Sequence, residues 1–365
     1  MSTLKVAVVG GGNGSYTMAA DMALAGHEVR MCPGPRERHQ EVWESRSIRI
    51  SGLGRTGEGR LVAVSDDLRE VVVGADLVFC SDPAPSQPTR AKTLAPHLEA
   101  GQVVFLSPGS LGSYLCAKIV REEGGSQEVA FVEPGTLPYL TRKTGPAEVQ
   151  VSGRAAHLPV GVFPARETAR ALERVRRVYP AAHPVENALS VALLNVGPIL
   201  HSVLVLLNTG PIEHLASWDI HNEGTSPSVK KLILAHDAER IRVRTALGFA
   251  PPHYPMRDHY DPSGDAEWMY GRKAHVDLVK SEKWREKLSF SHRYVVEDVR
   301  CNLALQSSVG RLARVETPIA DALLTLIGTI VGEEFRQTGR SRASLGLGDL
   351  SLPELTRLLD RGFRA

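Results

Sequence analysis

The chain has 365 residues and a mass of 39.6 kDa, with 42% hydrophobic residues, 23% charged residues and a formal net charge of +2. At about 100 to 200 residues per domain, this length predicts two domains, each with a core of its own. The balance of 43 Lys+Arg against 41 Asp+Glu lacks the electrostatic footprint of a nucleic-acid binder. Cys32, Cys80, Cys116 and Cys301 are scattered, with no CxxC pair and no His at ligand spacing. Neither a metal site nor a disulfide framework is expected, and a cytoplasmic location fits best.

The first half alternates short β-branched runs with helical patterns, as a parallel sheet covered by helices requires. Strands are predicted at Leu4 to Val9, Glu28 to Cys32, Asp76 to Cys80, Val103 to Leu106 and Glu128 to Glu133. Helices are predicted near Gly14 to Ala25, Pro85 to His97 and Ser110 to Glu123. Arg46 to Val64, with glycines from Gly52 to Gly59, reads as an inserted hairpin. Glu148 to Val151 and Leu158 to Phe163 are expected to close the sheet, followed by a helix from Ala165 to Val178.

From about Glu186 onward helical periodicity takes over, with helices expected at Ala188 to Asn208, Ser228 to Leu247, Asp265 to Val279, Tyr294 to Ala313, Pro318 to Glu334 and Leu352 to Arg361. The expected fold is an α/β Rossmann-type N-terminal domain with a parallel sheet, residues 1–185, and an all-α C-terminal domain, residues 186–365. A cleft between two such domains is the default ligand site. The apolar stretch Ala188 to Leu207 is interrupted by Asn195, Gly197, Pro198 and His201, each costly in lipid, so it reads as a buried helix and no membrane partner is expected. Met1 to Gly10 lacks the apolar core and cleavage site of a signal peptide.

Directly after the first strand comes Gly10-Gly11-Gly12-Asn13-Gly14-Ser15. Gly10 permits a tight turn, Gly12 lets a pyrophosphate approach the backbone, and the following helix N-terminus offers its N–H groups to that anion. Ser15 stands where Gly or Ala is usual, so it should loosen helix-to-strand packing or contact a phosphate. No acid stands at the tip of the second strand to grip a ribose 2′-hydroxyl. Arg36 and Arg38 there could hold a 2′-phosphate instead, favouring NADP over NAD; alternatively they solvate a surface helix start. The loops Ser81 to Pro85, with Pro83, and Ser107 to Ser110 leave the carboxyl ends of strands, where ligands sit in open α/β sheets.

In the second half, His201 lies seven residues before Asn208 and one turn after Gly197, on one helix face. A titratable ring in an apolar helix is either a satisfied core histidine or an acid-base catalyst. Glu297 and Asp298 can supply a carboxylate to its other nitrogen, or simply suit a helix first turn. The segment Glu133 to Arg142 follows the last core strand and brings Thr136, Tyr139 and Arg142 forward as substrate contacts, with Arg142 suited to a carboxylate unless it only faces solvent.

Taken together, Gly10 to Ser15, Glu133 to Arg142, Asn195 to His201, Asn208-Thr209-Gly210, Asp237 to Gly248 and Val296 to Asp298 resemble the opine dehydrogenases, the octopine/nopaline dehydrogenase family. The resemblance implies a Rossmann domain and a helical domain, with NADPH or NADH as reductant. It also implies reductive condensation of a 2-oxo acid, often pyruvate, with the amino group of an amino acid or amine. By motif, His201 matches the family's catalytic histidine and Asp298 the carboxylate that orients it. Two other readings remain: reduction of a 2-oxo acid without an amine, as in ketopantoate reductases, and a non-catalytic dinucleotide-sensing module. Apolar helices such as Pro318 to Val331 would suit a homodimer.

Overall fold

The computed structural model describes residues 3–261, 263, 268–272, 274–280 and 284–363. These fall into two compact units, Met1–Ala188 with Leu359–Ala365, and Leu189–Leu358.

The first unit is built on an eight-stranded sheet. In chain order its strands are Lys5–Val9 (β1), Glu28–Cys32 (β2), Ala63–Val64 (β5), Leu77–Cys80 (β6), Val103–Leu106 (β7), Ala130–Pro134 (β8), Leu158–Phe163 (β11) and Ala182–Pro184 (β12). Their order across the sheet is β12-β11-β8-β7-β6-β1-β2-β5. Strands β5 to β8 run parallel to β1 and β2 and read as near-continuous apolar runs, as burial on both faces demands. Strand β11 closes the sheet as expected but runs antiparallel to β8. The chain between them folds as a hairpin rather than a helical crossover, and without a crossover it returns in the opposite direction.

That hairpin is a departure from the expected topology. Glu148 to Val151 does not extend the main sheet. It lies in Glu148–Arg154 (β10), which pairs with Tyr139–Gly145 (β9) and, in parallel, with Ser47–Gly52 (β3). Strand β3 forms a hairpin with Gly57–Arg60 (β4), within the stretch expected to be its turn, while Ala63–Val64, expected in the second arm, joins the main sheet; the hairpin completes a second sheet of order β4-β3-β10-β9.

The first helix, Asn13–Leu24 (α1), is buried continuously from Ser15 to Met22, because the second sheet covers the side that the main sheet leaves free. Asp21, fully buried on α1, fastens that cover. It accepts from the Tyr139 hydroxyl at 2.7 Å, Arg154 Nη2 at 2.8 Å and Arg55 Nη1 at 3.0 Å. The chain end also belongs to this unit, with Phe363 packed on Phe163 and Tyr114 at ring centroids 5.2 and 5.8 Å apart.

The second unit is helical. Its main helices are Gly197–Leu207, Pro227–Ala246, Ala304–Leu312 and Pro318–Val331, with Tyr294–Leu303 wound as a π-helix. The single helix expected from 188 to 208 is two, Ala188–Ala192 and Gly197–Leu207. Asn195 Oδ1 accepts from the Gly197 N–H at 3.0 Å, and Pro198, which has no N–H to donate, suits only a helix start. The most apolar window of Ala188–Leu207 has a mean hydropathy of 2.0, and 72% of it is buried inside the fold. The helix expected from Asp265 to Val279 is seen at Ala274–Lys280; residues 264–267 and 273 lie outside the described residues.

Candidate functional site

The glycine turn forms where the pattern places it. Strand β1 ends at Val9, Gly10 takes φ +114°, a conformation open to glycine, and α1 starts at Asn13. Gly12 caps the helix with no side chain bonded to its first-turn N–H groups, and a Cβ there would meet nothing within 4 Å. Open space beside an uncapped helix N-terminus fits a dinucleotide pyrophosphate. Gly14 lies against Ser81, whose Cβ would be 3.3 Å from a Cβ added at Gly14. Ser15 does not loosen the packing. It is fully buried and shares a 2.5 Å hydrogen bond with Ser81, tying α1 to the loop after β6. Its hydroxyl is therefore committed to the protein.

The tip of β2 carries Arg36 and Arg38 on a short exposed turn, Arg36–Arg38, with the Arg36 guanidinium 6.0 Å from the Trp43 ring centre. Pro83 is exposed on the loop after β6, where Asp82 is held bidentately by Arg90 at 2.8 and 3.0 Å. The helix after the Ser107 to Ser110 loop offers no free N-terminus. The Leu111 and Ser113 N–H groups donate to the buried Glu133 carboxylate at 3.1 and 3.0 Å.

Of the expected substrate contacts on this segment, the structure commits one to the protein itself. Tyr139 is buried with its hydroxyl on Asp21, so it is a core residue of the first unit. On β9, Thr141 bonds Thr17 at 2.8 Å and Lys143 Nζ bonds the Gly11 carbonyl at 2.6 Å, so both point to α1. Side chains alternate along a strand, so Arg142 faces the opposite side of the small sheet, away from the glycine turn. Thr136 is buried in the link between β8 and β9. The cation at the turn is Lys143. A strand alternation read from Tyr139 to Gly145 would have singled it out.

In the second unit, His201 and Asp298 meet although 97 residues separate them: Nδ1 and Oδ2 share a hydrogen bond of 2.8 Å. The imidazole lies flat on the Tyr294 ring, with centroids 3.8 Å apart and an 18° interplanar angle. His221 stands edge-on to His201 at 5.4 Å and bonds the Tyr294 hydroxyl through Nε2 at 3.0 Å. His221 stands on a loop that could shape an amine pocket, whereas Tyr294 and the neighbouring Arg293 and His292 were not singled out by spacing. An aromatic residue four positions before the acid was the available signal for Tyr294. Burial, then Arg293 and His292, push the His201 imidazole well below its ordinary value, so it is neutral at rest. Burial also raises Asp298 to about 7, against the opposing pull of Arg293 and His292. Asp298 thus titrates near neutrality beside a neutral imidazole, and His201 Nε2 has no protein partner among the described residues.

Asn208, expected beside His201, is spent on structure. Its amide donates to the Leu204 and Gly224 carbonyls at 2.9 and 3.2 Å and accepts from Trp218 Nε1 at 3.0 Å. Gly197, by contrast, is indispensable to the pair. A Cβ there would lie 2.6 Å from Asp298 Oδ1, so only glycine lets the carboxylate reach the histidine helix. We predict that Gly197→Ala lowers turnover by about 100-fold, the scale of a misplaced catalytic group, while the dissociation constant for the dinucleotide stays unchanged. Wild-type turnover in that variant would show that Asp298 needs no such approach.

Comparison with known proteins agrees with this anatomy. Residues 184–331 match the family described as NAD/NADP octopine/nopaline dehydrogenase, alpha-helical domain. An opine dehydrogenase from Arthrobacter sp. (strain 1C) is 30% identical over 349 residues, covering 94% of this chain and 96% of that protein. Among solved structures, octopine dehydrogenase in complex with NADH and agmatine shares the fold with a TM-score of 0.72 at 18% identity, covering 100% of this chain and 99% of that one. Yersinopine dehydrogenase with NADP+ bound gives 0.67 at 13% identity, with 98% of each chain covered. The glycine turn, the helical unit with its histidine, and a relative of this identity along nearly the whole length place the chain in the opine dehydrogenase family, NAD(P)-dependent oxidoreductases that act on CH–NH bonds.

Proposed function

We propose that this chain condenses a 2-oxo acid of the pyruvate type with the amino group of an amino acid or amine and reduces the resulting imine, with NADPH as the preferred reductant. The observation that carries the reading is the 2.8 Å His201–Asp298 hydrogen bond at a nearly dry imidazole whose Nε2 is left for substrate. When bound at the glycine turn, the reduced nicotinamide supplies the hydride that the imine carbon accepts.

The protein's own part is proton management and orientation. Condensation releases the oxo acid's carbonyl oxygen as water, which requires a proton at that oxygen; reduction then leaves a secondary amine. His201 delivers the proton from Nε2 in the state where the pair carries an additional proton, and Asp298, hydrogen-bonded at Nδ1, keeps Nε2 directed outward. Tyr294, stacked on the ring and bonded to His221, stops the imidazole from rotating off that line. Asp298 stabilises the positive ring that exists before transfer in the reductive direction and after proton uptake in the oxidative one, as a carboxylate does behind a catalytic histidine.

His201→Asn should lower turnover by about 100- to 10,000-fold and leave NADPH affinity intact. The sign of the pH dependence follows from the shared proton. In the reductive direction the pair must hold it, so turnover falls as pH rises through about 7. In the oxidative direction the pair must accept it, so turnover rises through the same range. Both inflections should vanish in His201→Asn. Near-normal turnover, or an unchanged pH profile, would reject the assignment. Assays with and without an amino acid panel distinguish condensation from plain reduction of the oxo acid.

The preference for NADPH rests on Arg36 and Arg38, exposed at the tip of β2 where no acid stands. Arg36→Ala should raise the apparent Michaelis constant for NADPH more than for NADH; an equal rise for both removes the 2′-phosphate role. The proposal extends to a homodimer. Ala322, Leu326 and Ile330 form an exposed apolar stripe along Pro318–Val331, with Leu326 and Ile330 at 49% and 39% exposure, which a second copy of the helix would remove from water. Light scattering should find a dimer that Leu326→Glu converts to monomer. A wild-type monomer would end that part of the proposal.

A further inference from the structure

Lys143 occupies an unusual position for a lysine. It reaches from the second sheet to the turn between β1 and α1, where Nζ donates to the Gly11 carbonyl at 2.6 Å. The same ammonium lies 3.4 Å from the centre of the Tyr16 ring, on the first turn of α1. Its backbone N–H donates to Asn13 Oδ1 at 3.0 Å, so the strand as well as the side chain is fixed to the start of that helix. Tyr16 is held in turn, its hydroxyl bonded to His39 Nδ1 at 2.7 Å, and His39 packs against Gly11.

Every contact of that ammonium is to a carbonyl or a π-face. Among the described residues no carboxylate pairs with it, and partial burial lowers its pKa. A partly desolvated cation without a counter-ion is an unfinished electrostatic arrangement. An ammonium has three donors, and the carbonyl takes one. Beside it lie the open backbone at Gly12 and the uncapped helix N-terminus.

Resting on the assignment of an NAD(P) cofactor to this turn, we infer that Lys143 is the counter-ion of the cofactor's pyrophosphate. The inserted sheet thereby contributes directly to dinucleotide affinity, a role distinct from that of Arg36 and Arg38. The pyrophosphate is common to NADH and NADPH, so Lys143 acts on both alike, whereas a 2′-phosphate contact acts on one.

The test is equilibrium binding, measured by calorimetry and nucleotide fluorescence, of NADH, NADPH and ADP, with adenosine as the phosphate-free control in competition. In Lys143→Met the dissociation constants for NADH, NADPH and ADP should each rise by about 10- to 100-fold, the range of a hydrogen bond to a charged group. Adenosine should be unaffected, and the dependence of log Kd on log salt should flatten. Lys143→Arg, which keeps the charge, should recover most of the affinity. Unchanged constants in Lys143→Met overturn the inference. A loss confined to NADPH moves the contact to the 2′-phosphate, and an equal loss for adenosine makes Lys143 a scaffold residue; either outcome overturns it too. Wild-type protein that binds no dinucleotide would instead overturn the cofactor assignment, and this inference with it.

Discussion

The hydrogen bond from His201 to Asp298 sets the terms for the helical unit. Both groups are nearly buried, with side-chain exposures of 12% and 9%, and in such surroundings an ionisable pair must be placed closely or not at all. The local irregularities of the unit meet at this bond. Asn195 and Pro198 end one helix and begin the next, so that Gly197 opens the histidine helix at the point where a Cβ would strike Asp298. The π-helix Tyr294–Leu303 presents both Tyr294 and Asp298 to the same imidazole, one by stacking and one by hydrogen bond. Single π-turns occur disproportionately at functional sites, and here the winding has a visible consequence.

Electrostatics and packing then point the same way. Burial disfavours charge on either partner, lowering the imidazole and raising the carboxyl. Arg293 and His292 oppose the second effect and reinforce the first, because positive charge favours carboxylate and disfavours imidazolium. The two residues share a hydrogen bond, so a proton gained by either alters the other, and Asp298 is raised to about 7. An acid-base group working near neutral pH needs that behaviour. The first unit solves a different problem, holding a large dianion, with uncapped backbone N–H groups and peripheral cations rather than with a proton donor.

Much of the first unit was legible in the sequence because its signals are local. Strands at Glu28–Cys32 and Val103–Leu106, the turn Gly10 to Ser15 and the hairpin after Arg46 follow from runs of a few residues. The second sheet was not legible, because β10 pairs with β3 about a hundred residues earlier and nothing near Glu148 records that. Its consequences for Tyr139, Arg142 and Lys143 were hidden with it: one strand sends Tyr139 into the core and Lys143 to the turn, and leaves Arg142 on the other face. The partnership of His201 with Asp298 came from resemblance to a family, since spacing alone left each with an ordinary structural reading. Asn208 shares a helix face with His201, as its seven-residue spacing requires, but the loop carrying Trp218 and Gly224 claims its amide.

The stretch Asp237 to Gly248 shows why charged residues in a motif are poor guides to chemistry until their bonding is counted. Arg240 is fully buried and every nitrogen is engaged, by Asp237 and by the carbonyls of Leu193, His253 and Tyr254. Arg244 is likewise consumed by Ser190, His253 and Ala250. Glu239 caps the Pro318–Val331 helix through the Ile319 and Ala320 N–H groups at 2.8 and 3.0 Å. Glu133 and Asp21 spend both of their oxygens in the same manner. Each of these buried charges is closed, with its desolvation offset by partners inside the protein. His201 and Lys143 are placed as carefully and yet stay open, the one at Nε2 and the other at an ammonium with no counter-ion. Beside Arg240, Glu239, Glu133 and Asp21, whose charges are answered inside the protein, these two positions are the ones that face a ligand's chemistry, one a proton in transit and one a phosphate.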